Sequence, residues 1–165
     1  MKKIILSSLV FCTLLNTNLI SNAERLRDDS RPFNSRENLK NTFSIGAGMP
    51  GLLHVKYSNM FDNKFSGGFS LGALPPLGGI SASLDLRYYI SDLSYNNSIY
   101  TETSLAYIYT NNNLSNTFAP NQKFGFEYRG DGGFTFNISG GIGIYMSGFG
   151  ANPAASIDLL LGYSF

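Results

Sequence analysis

From Thr42 to Phe165, large apolar residues alternate almost without a break with small or polar ones. Side chains on a β-strand point to opposite faces in turn, so this pattern specifies strands that are apolar on one side and polar on the other. The run from Ile80 to Ile90 is the clearest case. Ile80, Ala82, Leu84, Leu86, Tyr88 and Ile90 share one face, and Ser81, Ser83, Asp85, Arg87 and Tyr89 share the other. A chain patterned in this way has to form sheet, and each face of that sheet needs its own surroundings.

Turn signals divide the alternation into eight predicted strands. The first sets Phe43, Ile45, Ala47 and Met49 against Ser44, Gly46 and Gly48, and Met49-Pro50-Gly51 turns it. The second sets Leu53, Val55, Tyr57 and Phe61 against His54, Lys56 and Ser58, with a turn at Asp62-Asn63-Lys64. The third sets Phe65, Phe69 and Leu71 against Ser66, Gly68, Ser70 and Gly72. It ends at Pro75-Pro76-Leu77-Gly78, because proline cannot continue a paired ladder. The fourth is the run described above, followed by a polar turn over Ser91–Asn97. The fifth carries Ile99, Thr101, Thr103, Leu105, Tyr107 and Tyr109 opposite Tyr100, Glu102, Ser104, Ala106 and Ile108. Asn111–Gln122 is predicted as the longest loop. The sixth sets Phe124, Phe126 and Tyr128 against Lys123, Gly125, Glu127 and Arg129. A three-residue hairpin loop, Gly130-Asp131-Gly132, then places Tyr128 opposite Phe134. The seventh runs from Phe134 to Ile144, and Ser147–Ala155 is predicted as a loop to the eighth. Most of these strands have about 9–11 residues, the length at which a tilted strand crosses a bilayer.

The residues ahead of this region read differently. Met1–Ala23 has the form of a secretory signal peptide: Lys2 and Lys3, a mostly apolar stretch from Ile4 to Ile20, then the small residues Ser21-Asn22-Ala23. Cleavage is expected before Glu24. Cys12, the single cysteine, lies inside this segment behind Phe11 rather than a small residue, so lipidation is not expected and the mature chain has no disulfide. Residues 24–41 carry five basic and four acidic residues without apolar periodicity, and are expected to be a flexible polar lead-in with a short helix near Ser35–Lys40. Without Lys2 and Lys3 the chain has ten basic and eleven acidic residues. It has no basic surface for nucleic acid.

Two features indicate which face points where. The apolar face is continuous and rich in aromatics on all eight strands, while the polar face carries many Gly and Ser. The charges on that polar face also balance: Lys56, Arg87, Lys123 and Arg129 against Asp85, Glu102, Glu127 and Asp158. A closed interior needs its charges paired, because an isolated buried charge is very costly; a surface facing water has no such requirement. A soluble sandwich or lipocalin-like barrel with the apolar face inside is the alternative. Tyr57, Tyr88, Tyr107, Tyr109, Tyr128 and Tyr163 share the apolar face, several near strand ends, where an aromatic belt would lie.

The last strand places Ile157, Leu159, Leu161, Tyr163 and Phe165 on one face, with Asp158, Leu160, Gly162 and Ser164 between them. This resembles the C-terminal strand of bacterial outer-membrane β-barrels, which typically ends on an aromatic residue. From Thr42 to Phe165 the chain resembles the small eight-stranded members of that class, such as the membrane domain of outer-membrane protein A and its short relatives. The resemblance implies an antiparallel up-and-down transmembrane barrel with both termini in the periplasm. It also implies outer-membrane lipids as surroundings, and recognition of the final strand by the barrel-assembly machinery.

Catalytic motifs are weak by comparison. Gly46–Gly51 matches G-x-G-x-x-G, but Pro50 and the following strand leave no helix for a dinucleotide. Gly68–Gly72 matches G-x-S-x-G in mid-strand, without the strand-turn-helix of a nucleophile elbow. Ser70, His54 and Asp85 share the polar face of neighbouring strands, a placement that permits a Ser-His-Asp grouping. The plainer reading makes Ser70 a small wall residue and the other two members of the polar network. One His and no mature Cys leave few ligands for a transition metal. The motifs of lipid A deacylases and palmitoyltransferases are not matched. The expectation is a non-catalytic barrel, without cofactor or metal, in a structural or surface-exposed role. A narrow channel for small or hydrophobic solutes is the second reading and a lipid-modifying enzyme the third.

Overall fold

The computed structural model describes residues 39–49, 51–75, 78–94, 96–111, 115–130, 132–148 and 150–165. The predicted signal peptide and most of the polar lead-in lie outside the described residues. Eight strands follow one another: β1 (Asn41–Gly48), β2 (Leu53–Asp62), β3 (Phe65–Leu74), β4 (Gly79–Ser94), β5 (Asn97–Thr110), β6 (Ser115–Arg129), β7 (Phe134–Ser147) and β8 (Gly150–Ser164). Each pairs antiparallel with the next, and β8 pairs with β1, so the sheet closes into an up-and-down barrel. This is the all-β, eight-stranded architecture that the alternation predicts.

Closure fixes how far the strands are staggered. Starting at Ser44, the ladder runs one way through Lys56, Ser70, Ser83 and Ala106 to Ala119. The other way it runs through Gly162 and Thr135 to Arg129. The two paths therefore meet β6 at Ala119 and Arg129, ten residues apart. A stagger of this size tilts the strands by roughly 40°, and a barrel of eight such strands has an interior just wide enough for side chains.

The faces sort as the charge balance implies. Leu84 is 67% exposed and Ile142 69%, whereas Glu102 and Glu127 are each 1% exposed. The arrangement with the apolar face inside is not the one adopted. Three side-chain layers fill the interior. Met60, Tyr89 and Tyr100 cluster near the end that carries the termini. The charged residues lie in the middle. Leu74, Ala106, Ile108 and Ala119, with Tyr145 against them, form an apolar cluster toward the opposite end.

Three predicted boundaries are corrected. Ser115–Gln122, expected to be loop, is the first half of β6 and pairs residue by residue with β5. The predicted loop Ser147–Ala155 is largely strand, because Ser147 already pairs with Gly150. The turn at Ser91–Asn97 shrinks as well: β4 continues to Ser94 through two register shifts, and β5 begins at Asn97. Thus β4 to β8 have 14 to 16 residues, longer than expected, while β1 to β3 have 8 to 10. The β6–β7 hairpin also differs by a rung. Gly130 N–H donates to Phe134 O at 2.8 Å and Gly133 takes a φ of 89°, so Tyr128 pairs with Phe136 rather than Phe134. Parity is unchanged, and Tyr128 meets Phe134 diagonally with ring centroids 6.4 Å apart.

Glycine matters most where the wall meets the filled interior. Gly125 faces inward beside Tyr100, and a Cβ there would collide with the Tyr100 ring, which is fully buried. Gly125→Val is expected to cost about 1–3 kcal/mol, the usual penalty for overfilling a packed interior. Gly132→Ala, with nothing within 4 Å of its Cβ, should leave stability unchanged. Urea unfolding of the refolded chain measures both; equal midpoints would show that Tyr100 has room to move.

Candidate functional site

The eight predicted interior charges come from five strands: Lys56 from β2, Asp85 and Arg87 from β4, Glu102 from β5, Lys123, Glu127 and Arg129 from β6, and Asp158 from β8. All are buried. Register brings three of them side by side, since Arg87 pairs with Glu102 and Glu102 with Lys123. The next partner along this rung is Gly141, where a Cβ would collide with the Gln122 carbonyl and with Lys123 Cα.

Glu102 is the focus. Its Oε2 lies 2.9 Å from Lys56 Nζ and 2.6 Å from Arg87 Nε, and its Oε1 lies 3.4 Å from Lys123 Nζ. Lys56 reaches it from three strands away and also pairs with Asp85 Oδ1 at 3.0 Å. Arg87 Nη1 continues to Glu127 Oε2 at 3.3 Å and donates to Asn137 Oδ1 at 3.0 Å. Its guanidinium carbon sits 4.4 Å from the centroid of the Tyr100 ring, a cation–π contact. Glu127 accepts a hydrogen bond from Tyr89 Oη at 2.9 Å and pairs with Arg129 Nη2 at 3.1 Å. Arg129 Nη1 donates to Leu39 O at 2.6 Å, tying the start of the described chain to the interior. Lys123 Nζ lies 3.5 Å from Asp158 Oδ2, and His54 Nε2 lies 3.2 Å from Asp158 Oδ1.

All eight charges thus join one continuous network, with His54 at its edge. Tyr89, Tyr100 and Asn137 belong to it too. The alternation puts all three on the inner face, but spacing alone does not show that they reach the ions.

The permitted Ser70, His54 and Asp85 grouping does not form. Ser70 Oγ is hydrogen-bonded to Ser83 Oγ at 2.7 Å, Asp85 is held by Lys56, and His54 is engaged by Asp158 and by Gly51 O. Each of the three side chains is bonded to a different partner, so they do not line up as a Ser-His-Asp relay. Among the described residues no group of three or more His, Cys, Asp or Glu is arranged to hold a metal ion.

The middle of the outer face is largely apolar, and Gln122, Thr101 and Thr103 on it bond one another. Gln122 Nε2 donates to Thr101 Oγ1 at 2.5 Å, and Thr103 Oγ1 donates to Gln122 Oε1 at 2.7 Å. Ile157, Leu159, Leu161, Tyr163 and Phe165 of the C-terminal pattern all point outward and are exposed. Phe165 and Asn41 exchange two backbone hydrogen bonds, at 2.8 and 3.0 Å. The final aromatic residue therefore closes the barrel against its first strand.

Glu102→Gln leaves Lys56, Arg87 and Lys123 short of a counter-charge. Its expected cost is about 3–5 kcal/mol, as for breaking a buried ion pair from one side. Asp62→Asn, at an exposed turn, should change stability by less than about 0.5 kcal/mol. Chemical unfolding of both variants beside the parent decides it, and a Glu102→Gln loss as small as that of Asp62→Asn would mean that the network contributes little. No family model, no curated protein and no solved structure matches the chain.

Proposed function

We propose that the chain is a non-catalytic outer-membrane β-barrel protein with a structural or surface-exposed role, its interior closed by a charge-paired network. The observation that carries this reading is the inverted burial: a closed barrel exposing Leu84, Ile142, Ile157 and their neighbours while enclosing Glu102, Arg87 and Lys123. Water disfavours such an outer surface. A hydrocarbon surrounding favours it, and admits only helices and closed barrels because backbone polar groups must be paired internally.

Aromatic placement gives further support. Phe134, Tyr163, Phe43, Tyr57 and Phe69 pair in succession across β7, β8, β1, β2 and β3 on the outer face. Tyr57 Oη donates to Asn41 Oδ1 at 2.7 Å, toward the end with the termini. Toward the opposite end, Tyr107 stacks edge-on with Phe118 at 5.2 Å and donates to Asn116 Oδ1 at 2.8 Å. Rings with apolar bodies and polar tips directed to opposite rims suit the two girdles of a membrane barrel. The filled interior favours a closed barrel over a channel, and the engagement of Ser70, His54 and Asp85 elsewhere disfavours an enzyme. On this reading Met1–Ala23 serves as the export signal and the C-terminal strand, Ile157 to Phe165, as the assembly signal.

Leu84→Lys places a charge on the outer face in mid-strand. In lipid vesicles it is expected to cost about 2–4 kcal/mol in folding free energy. A cost near zero would contradict a lipid surrounding at that position. In the membrane fraction the unboiled protein should migrate differently from the boiled protein on a gel. Planar bilayers should show no steady conductance; well-resolved channels would favour the transport reading instead.

A further inference from the structure

We propose that His54 is a pH-dependent latch at the rim of the barrel, closed when its imidazole carries two protons. His54 is the second residue of β2 and faces inward, with its side chain 7% exposed. Its Nδ1 lies 3.2 Å from Gly51 O and its Nε2 lies 3.2 Å from Asp158 Oδ1. A carbonyl and an ionised carboxylate only accept hydrogen bonds, and a neutral imidazole has one N–H. The neutral ring therefore serves one of its two neighbours, and the imidazolium serves both.

The groups around the ring leave the proton count to His54 itself. On β8, Asp158 faces it. On β6, Lys123 holds the other oxygen of that carboxylate at 3.5 Å. On its own strand Lys56 is engaged by Asp85 and Glu102. The neighbours on β1, β3 and β4 are Gly46, which pairs with His54, Gly72, which pairs with it from the other side, and Ser81, all uncharged.

What the ring holds is the backbone at Gly51. Gly51 is buried, and a Cβ there would lie 2.5 Å from Ser81 Oγ and 3.3 Å from Gly72 Cα, both on the inner face. The backbone at this point therefore sits inside the rim, against β3 and β4. Its other side is tied to β8, where Met49 N–H donates to Ile157 O at 2.9 Å and Ser156 Oγ donates to Met49 O at 3.2 Å. Among these ties only the His54 contacts depend on a titrating group. The sign follows: in acid both acceptors are served and Gly51 is held against the wall. As pH rises and the ring loses a proton, its remaining N–H stays with the charged carboxylate of Asp158, the stronger acceptor, and the Gly51 carbonyl is released. The latch is a property of the barrel itself and stands apart from the membrane assignment.

The chain has a single histidine, so 15N-histidine labelling gives one pair of ring signals in the refolded full chain in detergent. Across a pH series, both ring nitrogens should be protonated at the acid end and one at the other. The Gly48 amide, bonded to Leu52 O at 3.3 Å, should lose about tenfold or more in hydrogen-exchange protection with the same midpoint, as expected for loss of a charge-assisted bond. The Phe165 amide at the opposite end should keep its protection. In His54→Gln the Gly48 protection should no longer depend on pH. A ring that holds one proton throughout, or a pH dependence that survives His54→Gln, overturns the latch. If that variant does not refold, coincidence of ring titration and Gly48 exchange in the parent decides it, and different midpoints overturn it.

Discussion

A sheet closed on itself encloses a fixed volume, and every charge placed inside has to find its opposite there. In this barrel the requirement is met by dividing the inner surface unequally. β1, β3 and β7 present mainly small or neutral residues inward: Thr42, Ser44, Gly46 and Gly48; Ser66, Gly68, Ser70 and Gly72; Thr135, Asn137, Ser139, Gly141 and Gly143. β2, β4, β5, β6 and β8 carry the long side chains. Lys56 can span from β2 to Glu102 on β5 because the inner face of β3 is Ser and Gly. Arg87 reaches Asn137 on β7 by lying over the Tyr100 ring, which occupies the room Gly125 leaves on the β6 wall. Charge balance alone would not make the network; it also needs empty wall opposite each long side chain.

Much of this is legible in the sequence because the period is two and both faces are strongly typed. Where Leu84, Leu86 and Tyr88 alternate with Asp85 and Arg87, the strand, its faces and its ions follow directly. The signal fails where both faces are polar. Ser115, Asn116, Thr117, Asn121 and Gln122 have no apolar rhythm, and Pro120 argues against a central strand, so the first half of β6 reads as loop. The structure accommodates Pro120 because the β6–β7 ladder passes over it, from Phe118 with Met146 to Asn121 with Gly143. At Ser91–Ser94 the cause is different: register shifts after Tyr89 and Asp92 break the strict period that pattern reading depends on.

The same reasoning explains Pro153. β8 pairs with β1 only from Asp158 to Ser164, whereas its pairing with β7 extends back to Gly150. Pro153 lies in the part of β8 that has β7 as a neighbour and no β1 rung beside it. There a missing N–H removes nothing from a second ladder, and the ring makes the edge a poor template for another strand. The site itself is less legible than the fold. Which carboxylate meets which cation depends on register, stagger and reach across the lumen. Lys56 and Glu102 are 46 residues apart, and nothing in their local sequence pairs them.

The interior is occupied mainly by the chain's own side chains. Catalysis needs a group whose partner is the substrate, and conduction needs space that side chains do not occupy. Here Glu102 is shared among three cations, Ser70 is bonded to Ser83, and Tyr89, Tyr100 and Met60 fill the level beneath the ions. On the wall Gln122, Thr101 and Thr103 bond one another. The rims are where polar tips emerge, at Tyr57 with Asn41 and at Tyr107 with Asn116. A barrel built this way meets its environment through an apolar band and two polar edges.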